Sequence, residues 1–124
     1  MLDKIVVLMC NINFVSGVQL LGGSVPNEGR LEVFLDGAWG TVNRDGFDMR
    51  DANVVCRSLG YGNARNFVTT PVFGRGSGSI LMDDVGCRGN EETIFDCNFN
   101  RRTESSDTHD HDVGVRCQGT GNSK

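Results

Sequence analysis

No apolar run in this sequence approaches the roughly 20 residues that a membrane-spanning helix needs; the stretch from Ile5 to Met9 falls far short. Proline is scarce, two residues against 17 glycines. Glycine supplies the positive-φ positions of tight turns and weakens regular elements, so this balance excludes a fold dominated by long helices and favours short strands with many turns. Basic excess is missing too. A formal net charge of -4 argues against nucleic acid as a partner, since duplex binding draws on lysine and arginine to neutralise phosphates. Lys4 and Lys124 are the only lysines among the 12 basic residues, which leaves arginine, whose planar fork suits carboxylate, sulfate or phosphate groups, to carry the positive charge between them. No Cys-x-x-Cys pair is present, so thiolate zinc ligation is a weak reading. No Gly-x-Ser-x-Gly elbow is present either, and His109, His111, Asp110 and the serines read as surface residues rather than a catalytic triad. His109-x-His111, with Asp107 or Asp110, is a weak zinc pattern. There is no internal repeat and no Asn-x-Ser/Thr sequon.

What is there fits one domain: 124 residues hold enough apolar content for one core and not two. Residues 1–17 read as a secretory leader, Lys4 followed by the apolar run and Val15-Ser16-Gly17 offering small residues for cleavage before Val18. A fragment of a longer chain or a misplaced gene start are the alternatives. Of five cysteines, Cys10 lies in that leader, leaving an even set of Cys56, Cys87, Cys97 and Cys117, as expected of disulfides in an oxidising compartment. Gly119 to Lys124 reads as a frayed tail or a linker.

The local pattern predicts several elements. Gly29 to Leu35 alternates apolar and polar, Asp36-Gly37 turns, and Ala38 to Val42 returns, which together make a β-hairpin. Asp48 is placed to cap a helix in which Ala52, Val55, Cys56 and Leu59 recur at i, i+3, i+4 and i+7, so that Cys56 faces the core and Gly60 ends the helix. A loop spans Tyr61 to Gly78, Ser79 to Met82 reads as a buried strand leading into Asp83-Asp84, a short helix runs from Glu91 to Asp96 with Asn90 as its cap, and Val113 to Cys117 closes the fold as a strand.

Segments Val18 to Ser24, Gly29 to Val33, Trp39-Gly40-Thr41-Val42, Asp51 to Tyr61, Gly76-Ser77-Gly78, Asp83 to Cys87 and Asp112 to Cys117, in this order, resemble the signatures of the scavenger receptor cysteine-rich (SRCR) domain. The likeness covers about residues 18–118. It implies a compact, disulfide-stapled α+β domain with a curved antiparallel sheet cradling one main helix and a second short helix. It also implies the pairs Cys56 with Cys117 and Cys87 with Cys97. The first closes about 60 residues and contributes roughly 4 kcal/mol on the chain-entropy estimate, the second roughly 2.5 to 3.

The sequence departs from the six-cysteine form of that family at Asn43 and Asp107, where a further pair of cysteines is expected. Their joint loss leaves no free thiol, and the two residues are expected side by side. The resemblance also implies calcium at Asp83 and Asp84 with a glutamate near the last strand. That glutamate is His111 here, and imidazole is a poor ligand for a hard cation. Asp110 is the replacement expected, with Asp96 in a neighbouring cation site; the other reading has Asp83 capping a turn and Asp84 paired with arginine. Arg65, Arg75, Arg101 and Arg102 fall in predicted loops and form the alternative ligand surface. By the same resemblance the chain is not an enzyme. It is an extracellular binding module, secreted or part of an ectodomain, for proteins, polyanions or microbial surfaces, of innate-immune type and calcium-dependent. The alternatives are a noncatalytic accessory module of a longer secreted enzyme, such as a serine protease or a lysyl oxidase-like protein, or a structural adhesion domain in a tandem array.

Overall fold

The computed structural model describes residues 16–102 and 108–119. The expected leader over residues 1–15, Cys10, Asp107 and the tail from residue 120 lie outside the described residues. Strand β1 (Ser16–Gly22) takes in the last two residues of the stretch read as a leader. It runs antiparallel to β2 (Glu28–Leu35) for seven pairs, from Ser16 opposite Leu35 to Gly22 opposite Gly29. The expected turn at Asp36-Gly37 joins β2 to β3 (Ala38–Val42), both turn residues having positive φ.

The main helix, α1 (Met49–Ser58), begins where its polar signal places it. Asp48 accepts from the Arg50 and Asp51 N–H groups, and Asp51 reaches back to the Asp48 N–H, a reciprocal capping box. Ala52, Val55 and Cys56 are fully buried. Gly60, at φ +84°, ends the helix in the left-handed region.

Beyond the helix the chain holds more strand than its sequence suggests. The loop expected from Tyr61 to Gly78 contains β4 (Ala64–Val68), an edge strand whose Arg65 and Asn66 are exposed. The buried strand expected over Ser79 to Met82 is β5 (Ser79–Gly86), and it alternates rather than being buried throughout: Ile80, Met82 and Val85 point inward while Ser79, Asp84 and Gly86 are exposed. The helix expected over Glu91 to Asp96 shrinks to a 3-10 turn, Ile94–Asp96, capped by Thr93 and not by Asn90. Glu91 lies ahead of that turn, where its carboxylate reaches back to accept the Arg88 and Gly89 N–H groups. β6 (Asn98–Arg101) follows, then a second 3-10 turn at His109–His111, then β7 (Gly114–Cys117).

Among the described residues, all seven strands form one sheet, in the order β4-β7-β2-β3-β5-β6, with β1 also on β2. One pairing departs from the antiparallel expectation: β3 and β5 run parallel, Gly40 opposite Ser79. A parallel pair needs a long crossover, and here α1 and β4 supply it. β2 is the hub. β7 pairs with Glu28, Gly29 and Arg30, β3 with Glu32 to Leu35, and the Leu31 N–H between them donates to the Val113 carbonyl. Leu31, Val33, Val42, Met82, Val113 and Val115 are buried under α1 as the core. Among the described residues, no helix is long and apolar enough to cross a membrane.

Candidate functional site

The two implied disulfides are present. Cys56 joins α1 to Cys117 at the end of β7 (Cα–Cα 5.5 Å), and Cys87 joins the end of β5 to Cys97 (4.7 Å). Asn43, where the six-cysteine form has another cysteine, is buried just beyond β3. Its N–H donates to the Met82 carbonyl, it bridges to Asp112, and its side-chain amide donates to Asp83 Oδ1 at 3.2 Å. The expected neighbour of Asn43, Asp107, is outside the described residues.

Asp83 and Asp84 lie where β5 breaks its register against β6. Asp84 adopts φ +53°, a left-handed conformation rare for a residue with a side chain. The third carboxylate beside them is Asp45: one oxygen from each of Asp45, Asp83 and Asp84 lies within 4.8 Å of the others. Asp45 arrives on the turn after β3, where Gly46 packs against the Asp84 backbone. The sequence carries a hint of this, since Asp45-Gly46 marks an exposed turn, but only the parallel β3–β5 pairing brings that turn to Asp84. Asp83 is the enclosed member of the group. Its Oδ1 accepts from Asn43 Nδ2 and the Asp84 N–H, and its Oδ2 accepts from Arg102 Nη1 at 3.0 Å. Asp84 Oδ2 accepts from Asn100 Nδ2. Asp83 therefore both closes a turn and pairs with arginine, whereas Asp84 takes an amide. Three carboxylates form the hard-oxygen donor set that calcium takes.

Asp110 is not part of this group. It accepts from Arg75 Nε at 3.0 Å and Nη2 at 2.6 Å and from the Thr108 hydroxyl, and the Arg75 guanidinium holds its carboxyl below the usual range. Asp96 stands apart as well, in a shallow polar pocket with Arg88, Asn90, Glu91 and Asn98. His111 is exposed on the second 3-10 turn. His109, read from sequence as a surface residue, is instead tied into the fold. Its Nε2 donates to the Gly78 carbonyl at 2.7 Å, its Nδ1 lies 3.0 Å from both oxygens of buried Asp112, and Asp112 also accepts the Gly76 N–H. Nothing local in the sequence marks this clamp, because Gly76 and Gly78 lie some thirty residues away.

The four arginines do not form one patch. Arg65 is on β4 and Arg101 ends β6, at opposite ends of the strand order, so neither is in the expected loop. Each of the four has an internal carboxylate partner. Arg75 with Asp110 and Arg101 with Asp36 are open pairs, the arginines 62% and 60% exposed, while Arg65, 53% exposed, reaches a Glu28 carboxylate that is only 14% exposed. Arg102 with Asp83 is closed, at 19% and 17%. Exposed pairs of this kind contribute about 0 to 1 kcal/mol, so a ligand anion can exchange for the carboxylate at little cost.

The scavenger receptor cysteine-rich domain profile matches residues 21–118. Human lysyl oxidase homolog 2 is 46% identical over 100 residues, 81% of this chain and 13% of that protein. Bovine macrophage scavenger receptor types I and II is 43% identical over 100 residues, again 81% of this chain, and 22% of that protein. The chain thus spans less than a quarter of either relative. Among solved structures, the third SRCR domain of murine neurotrypsin superposes with a TM-score of 0.75 at 41% identity, covering 83% of this chain and 96% of that one. A family profile over most of the chain, a neighbour of the same fold and both disulfides agree, and the chain belongs to the scavenger receptor cysteine-rich domain family.

Proposed function

We propose that this domain is an extracellular, noncatalytic binding module that recognises anionic groups on proteins, polyanions or microbial surfaces, with calcium at Asp83, Asp84 and Asp45 as the bridge. The observation that carries the reading is the convergence of those three carboxylates from separate parts of the chain. Three like charges so close repel, and with Arg102 offsetting only one of them a divalent cation relieves the rest. A calcium ion held there with open coordination positions attracts an anionic ligand, and Arg101, opposite Met82 at the end of β6 and paired with Asp36, offers a separate exposed guanidinium on a neighbouring surface. Calcium affinity at about 0.1 to 1 mM, the range of extracellular modules, makes the ion exchangeable. Isothermal titration of calcium into the oxidised domain tests this. Saturable uptake that disappears when Asp83 and Asp84 are both changed to Asn, with calcium-dependent binding to immobilised heparin weakened in Arg101→Gln, supports the reading. No uptake at millimolar calcium moves recognition to Arg65, Arg75 and Arg101 alone.

A second setting for the same module is a longer secreted enzyme in which it serves as a noncatalytic accessory domain. The 46% identity to lysyl oxidase homolog 2, of which the chain spans 13%, favours it. A full-length transcript encoding a catalytic domain beside this one decides the point.

A further inference from the structure

Arg102 is set apart from the other candidate ligand-binding arginines by where its charge goes. Its guanidinium and its partner Asp83 are both enclosed, while the guanidinium groups of Arg65, Arg75 and Arg101 are open to solvent. It also holds the enclosed carboxylate of the acidic corner, Asp83. Asp83 already accepts from Asn43 Nδ2, the Asp84 N–H and Arg102 Nη1. A divalent ion approaching the corner meets two carboxylates that are open, Asp45 and Asp84, and one that is held by an internal cation.

We infer that Arg102 is a built-in counter-ion that sets the cation affinity of the acidic corner: a divalent ion engages Asp83 only as the guanidinium leaves Oδ2. The inference rests on the calcium reading of this corner and deepens it. Two cations cannot both use Oδ2 at contact distance without repelling each other, so the ion and Arg102 compete for one oxygen. Asn43 and the Asp84 N–H, which hold Oδ1 on the other side, keep the carboxylate aimed at the corner during the exchange. Calcium uptake is then coupled to the position of the chain at Arg102, directly after β6.

The test is calcium titration of the native oxidised domain beside Arg102→Gln and Arg102→Met, with thermal melts to establish that each is folded. Methionine keeps the apolar stem packed without the charge. Both variants are expected to bind calcium about tenfold more tightly than the native chain, a change of about 1.4 kcal/mol. An independent readout is the Arg102 Nε–H resonance of the native domain, which is expected to shift as calcium saturates. Native uptake with unchanged or weaker affinity in the folded variants, or with a stationary Arg102 resonance, overturns the inference and leaves the calcium reading standing. Uptake by the variants alone upholds the inference and removes the calcium reading for the native chain. If neither native nor variants bind, both fall.

Discussion

Asp48 and Asp51 share one capping box, yet their carboxyl groups titrate in opposite directions. The Arg50 guanidinium, 2.8 Å from Asp48 Oδ2, holds the Asp48 carboxyl below its usual range. Asp51 is pushed up to about 6 because it is buried, although the Cys87 and Asp48 N–H groups, both at 2.7 Å, favour its charged form. A carboxyl whose folded value is raised contributes stability that is complete below its unfolded value near 3.9 and lost as pH rises through about 6. For Asp48 the sign reverses: its contribution is present above the unfolded value and lost as pH falls. The sum peaks near the unfolded value that the two groups share, about pH 4. Urea melts of the native domain are expected to lose on the order of 2 to 3 kcal/mol between about pH 4 and 6.5, at about 1.4 kcal/mol per unit. Asp51→Asn should lack this step, and a flat native profile across the window would refute the assignment.

Strand β5 turns on a single backbone conformation. Its break in register at Asp83 to Gly86 depends on a left-handed residue at Asp84. Replacing that residue by Gly or by Ala removes the same carboxylate, but only Gly accepts the backbone freely. Asp84→Gly is expected to exceed Asp84→Ala in stability by about 1 kcal/mol in urea denaturation, while both lose calcium response equally. Equal stability of the two variants would show that the turn relaxes away from φ +53°. The elements legible in the sequence were those whose signals are local. Asp48 with the spacing of Ala52, Val55, Cys56 and Leu59 gave α1, and Asp36-Gly37 gave the β2–β3 turn. β4 and β6 were not legible, since Arg65, Asn66, Asn98 and Asn100 are exposed residues on edge strands and show no apolar alternation. For the same reason Asp83 and Asp84 could be picked out as neighbours in sequence, whereas Asp45 joins them only through the parallel β3–β5 pairing. Asp110, near enough in sequence to look like a third ligand, is taken by Arg75.

For the molecule as a whole, the two disulfides divide the work unequally. Cys56 and Cys117 are 61 residues apart and join the buried face of α1 to the last strand; Cys87 and Cys97 are 10 apart and fasten one corner. Removing the first pair as Cys56→Ala with Cys117→Ala is expected to cost about 4 kcal/mol, and removing the second pair about 2.5 to 3. Denaturant melts of the two double variants measure this directly, and a larger loss from the shorter loop would contradict the chain-entropy account.

The place of β7 between β4 and β2 has a consequence in time. A chain growing from its N-terminus cannot finish this sheet in order. Until Gly114–Cys117 has been made, β4 lacks the one strand it pairs with among the described residues, and Glu28 to Arg30 lack theirs on β7. At roughly 5 to 20 residues per second, the Cys56 thiol waits about 3 to 12 seconds for Cys117, while Cys87 and Cys97 emerge almost together. Of the four paired cysteines, Cys56 thus waits longest for its partner, and forming or reshuffling a disulfide, at seconds to hours, is slower than forming the hairpin or the helix.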